Sequence, residues 1–510
     1  MDLERVTSES VTREFLAVLL AGFGNELLPL TSDHGDEPCP KALLPVANKP
    51  MIDYILLWLE QAGIKDVLLI CPTIHRPAIY HHIHSDTSVS PSLLRIDLQT
   101  YDETPDTNVG TCTLLRHFSN RIPEDFVLVP CDFIAPPSLP LSTLLNRFRA
   151  DAISDGSIAT TCWIGAYAPE KGAFPDEWGP LPKPMPIVWD EFTETLLHVD
   201  TTDDQDRNAE ELELRVSMLT RYPQTKMSSR LQDSHVYICK RSVLDVLHER
   251  GHFDSFREEF VPWLCKVQYQ RTRKEKYGRV LNSNDNAPLQ ALALKHSTML
   301  TRIKSDNDQS FTKGSQDISI PPSPTDYEDR AIAESFRIGI VIHRPDTESA
   351  IRVNTISSFL EVNRRMLLQV SYSLPSDPKN RSLIDQKAQI SKDTIIGDST
   401  QVFGRVTIKT SVIGRHCIIG STTKIIGCIL FDHCVVGDGV RLEGCILGKN
   451  TKVGSKAELS RCITQAGYEV SAGETFKGEK LDVSDWTAAP DSSENGDSSG
   501  DETGDTSSSE

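Results

Sequence analysis

No segment of this 510-residue chain approaches the roughly 18 consecutive apolar residues that a membrane-spanning helix requires, so no membrane partner is expected. Residues 1–13 are polar, carry both charge signs, and lack the basic start and apolar core of a signal peptide. Cations are also in short supply. Lys and Arg total 53 against 72 Asp and Glu, a formal net charge of −19, so direct nucleic-acid binding is not expected. The 12 cysteines are scattered along a long chain without a secretion signal, which points to free thiols rather than a disulfide framework. These absences make the cytosol the expected location.

The length exceeds what one hydrophobic core organises, so two domains plus unstructured segments are expected. Residues 15–20 (FLAVLL) are wholly apolar and run into Ala21-Gly22-Phe23-Gly24, as a buried strand feeding a glycine turn does. Residues 51–62 (MIDYILLWLEQA) have helical periodicity, with Gly63 as C-cap. Residues 67–71 and 126–129 read as further buried strands, the second followed by Pro130-Cys131-Asp132. Residues 336–342 read as a strand and residues 357–370 as a helix. The alternation predicts an α/β domain with a Rossmann-like mixed sheet, mainly parallel, and helices on both faces.

From Ile390 onward the period becomes six. Ile390, Ile396, Val402 and Ile408 are spaced this way, then Ile413, Ile419 and Ile425, and Ile-Gly or Val-Gly recurs as far as Val453-Gly454. That hexapeptide pattern predicts a left-handed parallel β-helix whose aliphatic side chains fill a triangular prism. Three hexads would give about 18 residues per coil. Ser411, Cys428, Cys445 and Cys462 instead recur every 17, as do Cys417 and Cys434. Each coil is expected to lose one corner residue and to stack these side chains vertically. Two readings of the cysteine ladder stand: a metal site built from thiolates, or small residues packing an interior position, with the weight on packing.

The expected domain plan is a flexible N-terminus at 1–13, the α/β domain at 14–370, the β-helix at 383–483, and a disordered acidic, serine-rich tail at 484–510. A polar, charged and proline-containing stretch at about 271–334 reads as a flexible insertion, and residues 200–213 as a second, acidic excursion. The last twenty residues hold seven acids and no Lys or Arg. Ser498, Ser499 and Ser507 each precede an acid by three positions, so the tail reads either as a phosphorylation target or as a solvating segment.

Glycines let backbone amides approach phosphate oxygens, and a nearby lysine can balance their charge. Gly22 and Gly24, followed by Pro40-Lys41-Ala42-Leu43-Leu44-Pro45-Val46-Ala47-Asn48-Lys49-Pro50, carry that combination. These residues resemble the sugar nucleotidyltransferase family, whose pattern is G-G-x-G-T-R-L, a spacer, then P-K-P-L-x-P-V-x-N-K-P-M. The resemblance extends to Gly110-Thr111, matching a glycine-rich element beside the nucleotide base, and to Asp132, at the position of the family's magnesium-binding aspartate. It implies a nucleotide or phosphate site at Gly22, Gly24, Lys41, Gly110, Thr111 and Asp132. Lys41 and Asp132 read equally as a structural ion pair. The family's Thr-Arg is Asn25-Glu26 here. Two unit charges about 4 Å apart at an effective dielectric near 20 interact by about 4 kcal/mol, so an acid in place of a phosphate clamp is a serious handicap. The family's later sugar-phosphate lysine has no counterpart between Leu196 and Glu213. No catalytic residue, metal or cofactor is therefore expected, and the site reads as vestigial.

Downstream, His235-Val236-Tyr237-Ile238-Cys239-Lys240-Arg241, the stretch from Phe256 to Leu264, and Arg352-Val353-Asn354-Thr355 through Arg364 resemble the gamma-subunit family of translation initiation factor 2B. The resemblance implies a subunit that pairs with epsilon, assembles with alpha, beta and delta, and supports GDP/GTP exchange on translation initiation factor 2 without catalysing it. Epsilon carries a helical-repeat domain after its β-helix, and residues after Trp486 show no amphipathic helix of that kind. The alternative is an active sugar-phosphate nucleotidyltransferase such as mannose-1-phosphate guanylyltransferase.

Overall fold

The computed structural model describes residues 14–31, 39–85, 94–102, 109–154, 156–165, 185–201, 212, 214–222, 224–281, 336–344, 350–369, 375 and 377–482. Readings made on residues 1–13, on most of 200–213, on the insertion beyond 281 and on the tail lie outside them.

Strand Phe15–Leu20 (β1) sets the architecture. Phe15, Ala17 and Leu19 belong to one buried cluster and Leu16 and Val18 to another, so both faces of the strand are covered. Asp66–Pro72 (β2), Arg95–Tyr101 (β3) and Asp125–Pro130 (β4) run parallel to it in the order β3-β2-β1-β4. The sheet continues with Ser157–Gly165 (β5), Ile187–Asp190 (β6), Thr195–Val199 (β7), Thr225–Ser228 (β8), Leu231–Cys239 (β9) and Arg337–His343 (β10). The full order is β8-β6-β7-β10-β5-β9-β4-β1-β2-β3. Strand β9 is antiparallel to both β4 and β5, β7 to β6 and β10, and β8 to β6, so the sheet is mixed and antiparallel pairings outnumber parallel ones, which corrects the expectation of a mainly parallel sheet.

The helices divide between the faces. Among them are Met51–Gln61 (α1), Thr111–His117 (α2), Leu141–Ser154 (α3), Ser242–Glu249 (α4), Val261–Tyr269 (α5) and Arg271–Leu281 (α6). Helices α1 and α3 pack on one side, and the other four on the opposite side. Helix α1 buries Ile52, Ile55, Leu56 and Leu59, one stripe at helical spacing, and stops where Gly63 takes a φ of 82°. Helix α6 corrects the expectation of a flexible insertion from 271. Its Tyr277 is buried against Trp263 and accepts a 2.8 Å hydrogen bond from Arg250, so these polar residues order by packing one aromatic ring.

Residues 384–481 form the β-helix. Three parallel sheets stack the short strands, two sheets of six and one of five. On one face Val412, Ile429, Ile446 and Ile463 pair in register at steps of 17 residues, whereas Ile390 pairs with Ile408, a step of 18. The shortened corner turns through one left-handed residue in each coil: Thr410, Gly427, Gly444, Arg461 and Gly478. The residues that follow are the Ser411–Cys428–Cys445–Cys462 ladder. Cys428 N–H donates to Ser411 Oγ at 3.1 Å and Cys445 N–H to Cys428 Sγ at 3.4 Å, so the side chains stack vertically as expected. The Cys445 thiol donates to the Leu459 carbonyl at 3.3 Å, and all four side chains are fully buried, as packing requires. Among the described residues, no group of three or more His, Cys, Asp or Glu is arranged to hold a metal ion. All 12 cysteines are free thiols.

One helix joins the two domains. Ile356–Gln369 (α7) buries Ile356, Phe359, Val362 and Leu367 in a cluster that contains Leu44, Val46 and Met51 of the α/β domain. The same cluster holds Ile395, Val412, Ile429, Phe431, Ile446 and Ile463, from one outer face of the β-helix. Phe359 meets Phe431 edge-to-face at 6.0 Å. Beside it, the hairpin Pro45–Val46 and Lys49–Pro50 turns through Ala47 (φ 49°) and Asn48 (φ 63°), the double left-handed geometry of a two-residue type I′ turn. The Ala47 N–H donates to Asn363 Oδ1 of α7 at 2.8 Å, and Asn48 Nδ2 donates to the Ile413 carbonyl of the β-helix at 2.6 Å. The Val-Ala-Asn-Lys motif thus acts here as a brace between domains.

Truncation of the central ring tests this joint. Phe359→Ala is expected to cost about 3–5 kcal/mol, read as a lower urea midpoint of the transition that separates the β-helix from the α/β domain.

Candidate functional site

In the order β3-β2-β1-β4, chain connections leave β1 and β4 in opposite directions, and the crevice at their carboxyl ends is where such sheets bind ligands. A cleft of about 390 Å³ lies there. Of the residues expected at the site, Gly22, Gly24, Lys41, Thr111 and Asp132 line it together. Gly110 does not. A side chain at Gly110 would collide with Asp254, 2.1 Å from its carboxyl carbon, and Thr111 Oγ1 accepts the Phe256 N–H at 2.8 Å. The Gly-Thr element here clasps the 254–256 loop. Gly22 faces open space, and Gly24, at φ 90°, lets the Lys41 stem pass within 2.9 Å of where a Cβ would sit.

The charged centre is occupied by protein groups. Lys41 Nζ donates to Asp132 Oδ2 at 2.5 Å and to Asn354 Oδ1 at 2.6 Å. Arg352 Nε donates to the other oxygen, Asp132 Oδ1, at 3.1 Å, and its Nη1 donates to His235 Nε2 at 2.8 Å. The main chain repeats the link, with Val353 N–H on the Asp132 carbonyl at 2.8 Å. Asp132 is only 1% exposed. Burial by itself would raise its pKa, but Arg352 and Lys41 outweigh that and hold the carboxyl below its ordinary range. His235, at φ 57°, is kept neutral by burial and by the cations Arg352, Arg257 and Lys41, which push its pKa well down. Behind it, Tyr237 donates to Asp233 at 2.5 Å.

The family resemblance implies a magnesium ion at Asp132, and the residues present do not fit one. Both carboxylate oxygens are engaged by cationic side chains, and a metal would have to displace a buried lysine and an arginine. At the mouth, Glu26 is exposed on the turn Asn25–Leu27, where the family has arginine. The described part of the segment expected to lack a sugar-phosphate lysine is residues 196–201 and Leu212.

Arg352, Asn354, His235 and Arg257 went unassigned from sequence. Arg352 and Asn354 lie more than two hundred residues from Asp132. Their one local signal is the alternation Arg-Val-Asn, which puts both polar side chains on the same side of an extended segment.

The nucleotidyl transferase family model matches residues 16–171, and the EIF2B subunit epsilon LbH domain matches residues 378–476. The chain is 32% identical to the translation initiation factor eIF2B subunit gamma of Schizosaccharomyces pombe, over 54% of this chain and 57% of that protein. It is 22% identical to the corresponding gamma subunit of Dictyostelium discoideum, over 75% of this chain and 84% of that protein. A putative UTP–glucose-1-phosphate uridylyltransferase of Methanocaldococcus jannaschii is 45% identical over 10% of this chain and 16% of its own length. The chain therefore spans just over half the length of the first of these relatives. Fold and comparisons define the class: a nucleotidyltransferase-like domain followed by a left-handed, hexapeptide-repeat β-helix. Within that class, the chain is similar to gamma subunits of eIF2B.

The lock at Asp132 has a pH signature. A carboxyl held below its unfolded value of about 3.9 stabilises the fold fully above that pH and loses the contribution as pH falls through its folded value. Asp132→Asn removes this dependence and leaves two buried cations without their counter-charge. It is expected to cost about 3–5 kcal/mol at neutral pH in chemical denaturation, and less under acid conditions.

Proposed function

We propose that this chain is a non-catalytic, gamma-type subunit of the translation initiation factor 2B complex. It pairs with the epsilon subunit, assembles with alpha, beta and delta in the cytosol, and supports GDP/GTP exchange on translation initiation factor 2. The observation that carries the non-catalytic part is the mutual neutralisation of Lys41 and Asp132. In an enzyme of this class the lysine must meet phosphate and the aspartate must meet metal. Here each meets the other, and Arg352 and Asn354 complete the shell. Glu26 adds repulsion where a phosphate clamp would be needed. The assembly part rests on similarity to gamma subunits over 54% and 75% of the chain, and on a β-helix whose flat faces suit burial against a partner.

Purification of the chain at native level, with identification of stoichiometric partners by mass, tests the proposal. Four different subunits are expected, in a complex that accelerates GDP release from factor 2. The chain alone is expected to release no pyrophosphate from a nucleoside triphosphate and a sugar phosphate with Mg²⁺, and Glu26→Arg is expected not to change that. Recovery as a homo-oligomer with pyrophosphate-releasing activity would overturn the reading.

A further inference from the structure

Helix α6 departs in charge from the rest of the chain. In a protein of net charge −19, its sequence RTRKEKYGRVL holds five Lys or Arg and one Glu, and it buries Tyr277 and Leu281. Tyr277 fixes a further cation beside the helix. Arg250, the residue after α4, lies over the rings of Trp263 and Tyr277 at 5.6 and 5.0 Å, and its Nε donates to the Tyr277 hydroxyl at 2.8 Å. Arg273 of α6 and Arg215, just before the short helix Val216–Arg221, complete the cluster. Partial burial and the charges of Arg250 and Arg215 push the Arg273 pKa down, as crowded cations do. Among the described residues, no carboxylate pairs with Arg215, Arg250 or Arg273, and the one acid of α6, Glu275, is taken by Arg271 at 2.8 Å. Guanidiniums in that state repel one another and present forked donors that match carboxylates.

Charge and reach select the occupant. Residues 491–510 hold seven acids and no Lys or Arg, the largest net charge of any segment outside the described residues. Residues 202–211, the acidic stretch nearer Arg215, carry Arg207 among their acids and a smaller net charge. The described chain stops at Asp482, and residues 483–510, at about 3.3 Å each, reach up to about 90 Å from it. The prism itself rises only about 24 Å over its six stacked strands, so the segment can return along it to the α/β domain. Tethering holds these acids at an effective concentration on the order of a millimolar, which an acidic segment of a separate protein does not match.

We propose that residues 491–510 dock as an acidic peptide on the cluster of Arg215, Arg250 and Arg273, so that the chain covers its own basic surface. The docked segment keeps acidic stretches of other proteins from that surface. Neither the cluster nor the segment enters the argument for the subunit assignment.

The test uses the full chain in the complex with which it purifies. A carbodiimide joins lysine amines to carboxylates in direct contact, and Lys276, over the Tyr277 ring at 5.2 Å, flanks the cluster. Cross-linked peptides are mapped by mass. At low salt Lys276 is expected to couple to acids within 491–510, and severalfold less at about 0.5 M salt. The same loss is expected when Arg215→Gln and Arg273→Gln are combined. That pair is expected to keep the melting temperature, since neither arginine holds a described ion pair. Trypsin cleavage after Arg215 and Arg273 gives a second readout. Replacing the seven acids of 491–510 by Asn or Gln is expected to speed it severalfold. Coupling of Lys276 only to residues 202–211 or to another subunit, no coupling at all, or coupling that resists both salt and the arginine pair would overturn the proposal. Cleavage indifferent to the neutralised segment would do the same. Each of these failures leaves the subunit assignment standing, which loss of the partners or release of pyrophosphate would sink instead.

Discussion

Asp132 sits at the end of the fourth strand, almost fully buried, and must be satisfied where it lies. A carboxylate in that position cannot persist without counter-charge, and the structure supplies it from two directions. Lys41 comes from the turn after the first strand, and Arg352 from a segment that returns to the sheet two hundred residues later. That second partner matters for the whole molecule. Once Arg352 and Val353 are fixed on Asp132, the helix that begins at Ile356 has its starting point and direction set, and Phe359 is aimed at Phe431 of the β-helix. One buried charge therefore places the joint between the domains as well as the floor of the cleft.

The brace at Ala47 and Asn48 works in the same direction. Holding an alanine in the left-handed region costs about 1–2 kcal/mol, and it persists because Asn363 accepts its N–H while Asn48 reaches the β-helix. In this chain the lysine and proline motif that marks a phosphate-handling family contributes at both ends to architecture. Lys41 closes an ion pair, and the hairpin that follows wedges the domains together. Lys41 and Asp132, which the family resemblance assigns to ligands, contact each other in this structure, beside the apolar walls of the cleft.

The elements with strong periodicity were legible. FLAVLL could only be a strand covered on both faces, MIDYILLWLEQ could only be a helix with one buried stripe, and the six-residue aliphatic repeat could only close a prism. The 17-residue spacing foretold the vertical ladder from Ser411 to Cys462, because backbone stacking converts equal sequence steps into vertical neighbours. The helix Arg271–Leu281 was not legible. Its composition is that of a solvated segment, and it is ordered by Tyr277 meeting Trp263 and Arg250, contacts that local pattern does not encode. Gly110 was misplaced for a related reason: a glycine beside a threonine suits a ligand or a close-packed loop equally well, and only Asp254 decides between them.

The sequence by itself determined that the chain holds an α/β sheet domain and a β-helix, that Gly22, Gly24, Lys41 and Asp132 belong near the ends of two strands, and that an acid, Glu26, stands where the resembled family has arginine. These follow from short-range periodicity and from the residue types that turns and strand ends require. Only the tertiary structure decided what Lys41 and Asp132 do, because the answer depends on Arg352, Asn354 and His235, which the topology of the sheet brings in from far along the chain. Charge pairing acts over a few ångströms in space and is indifferent to distance in sequence, so the electrostatic fate of the site was settled by the fold.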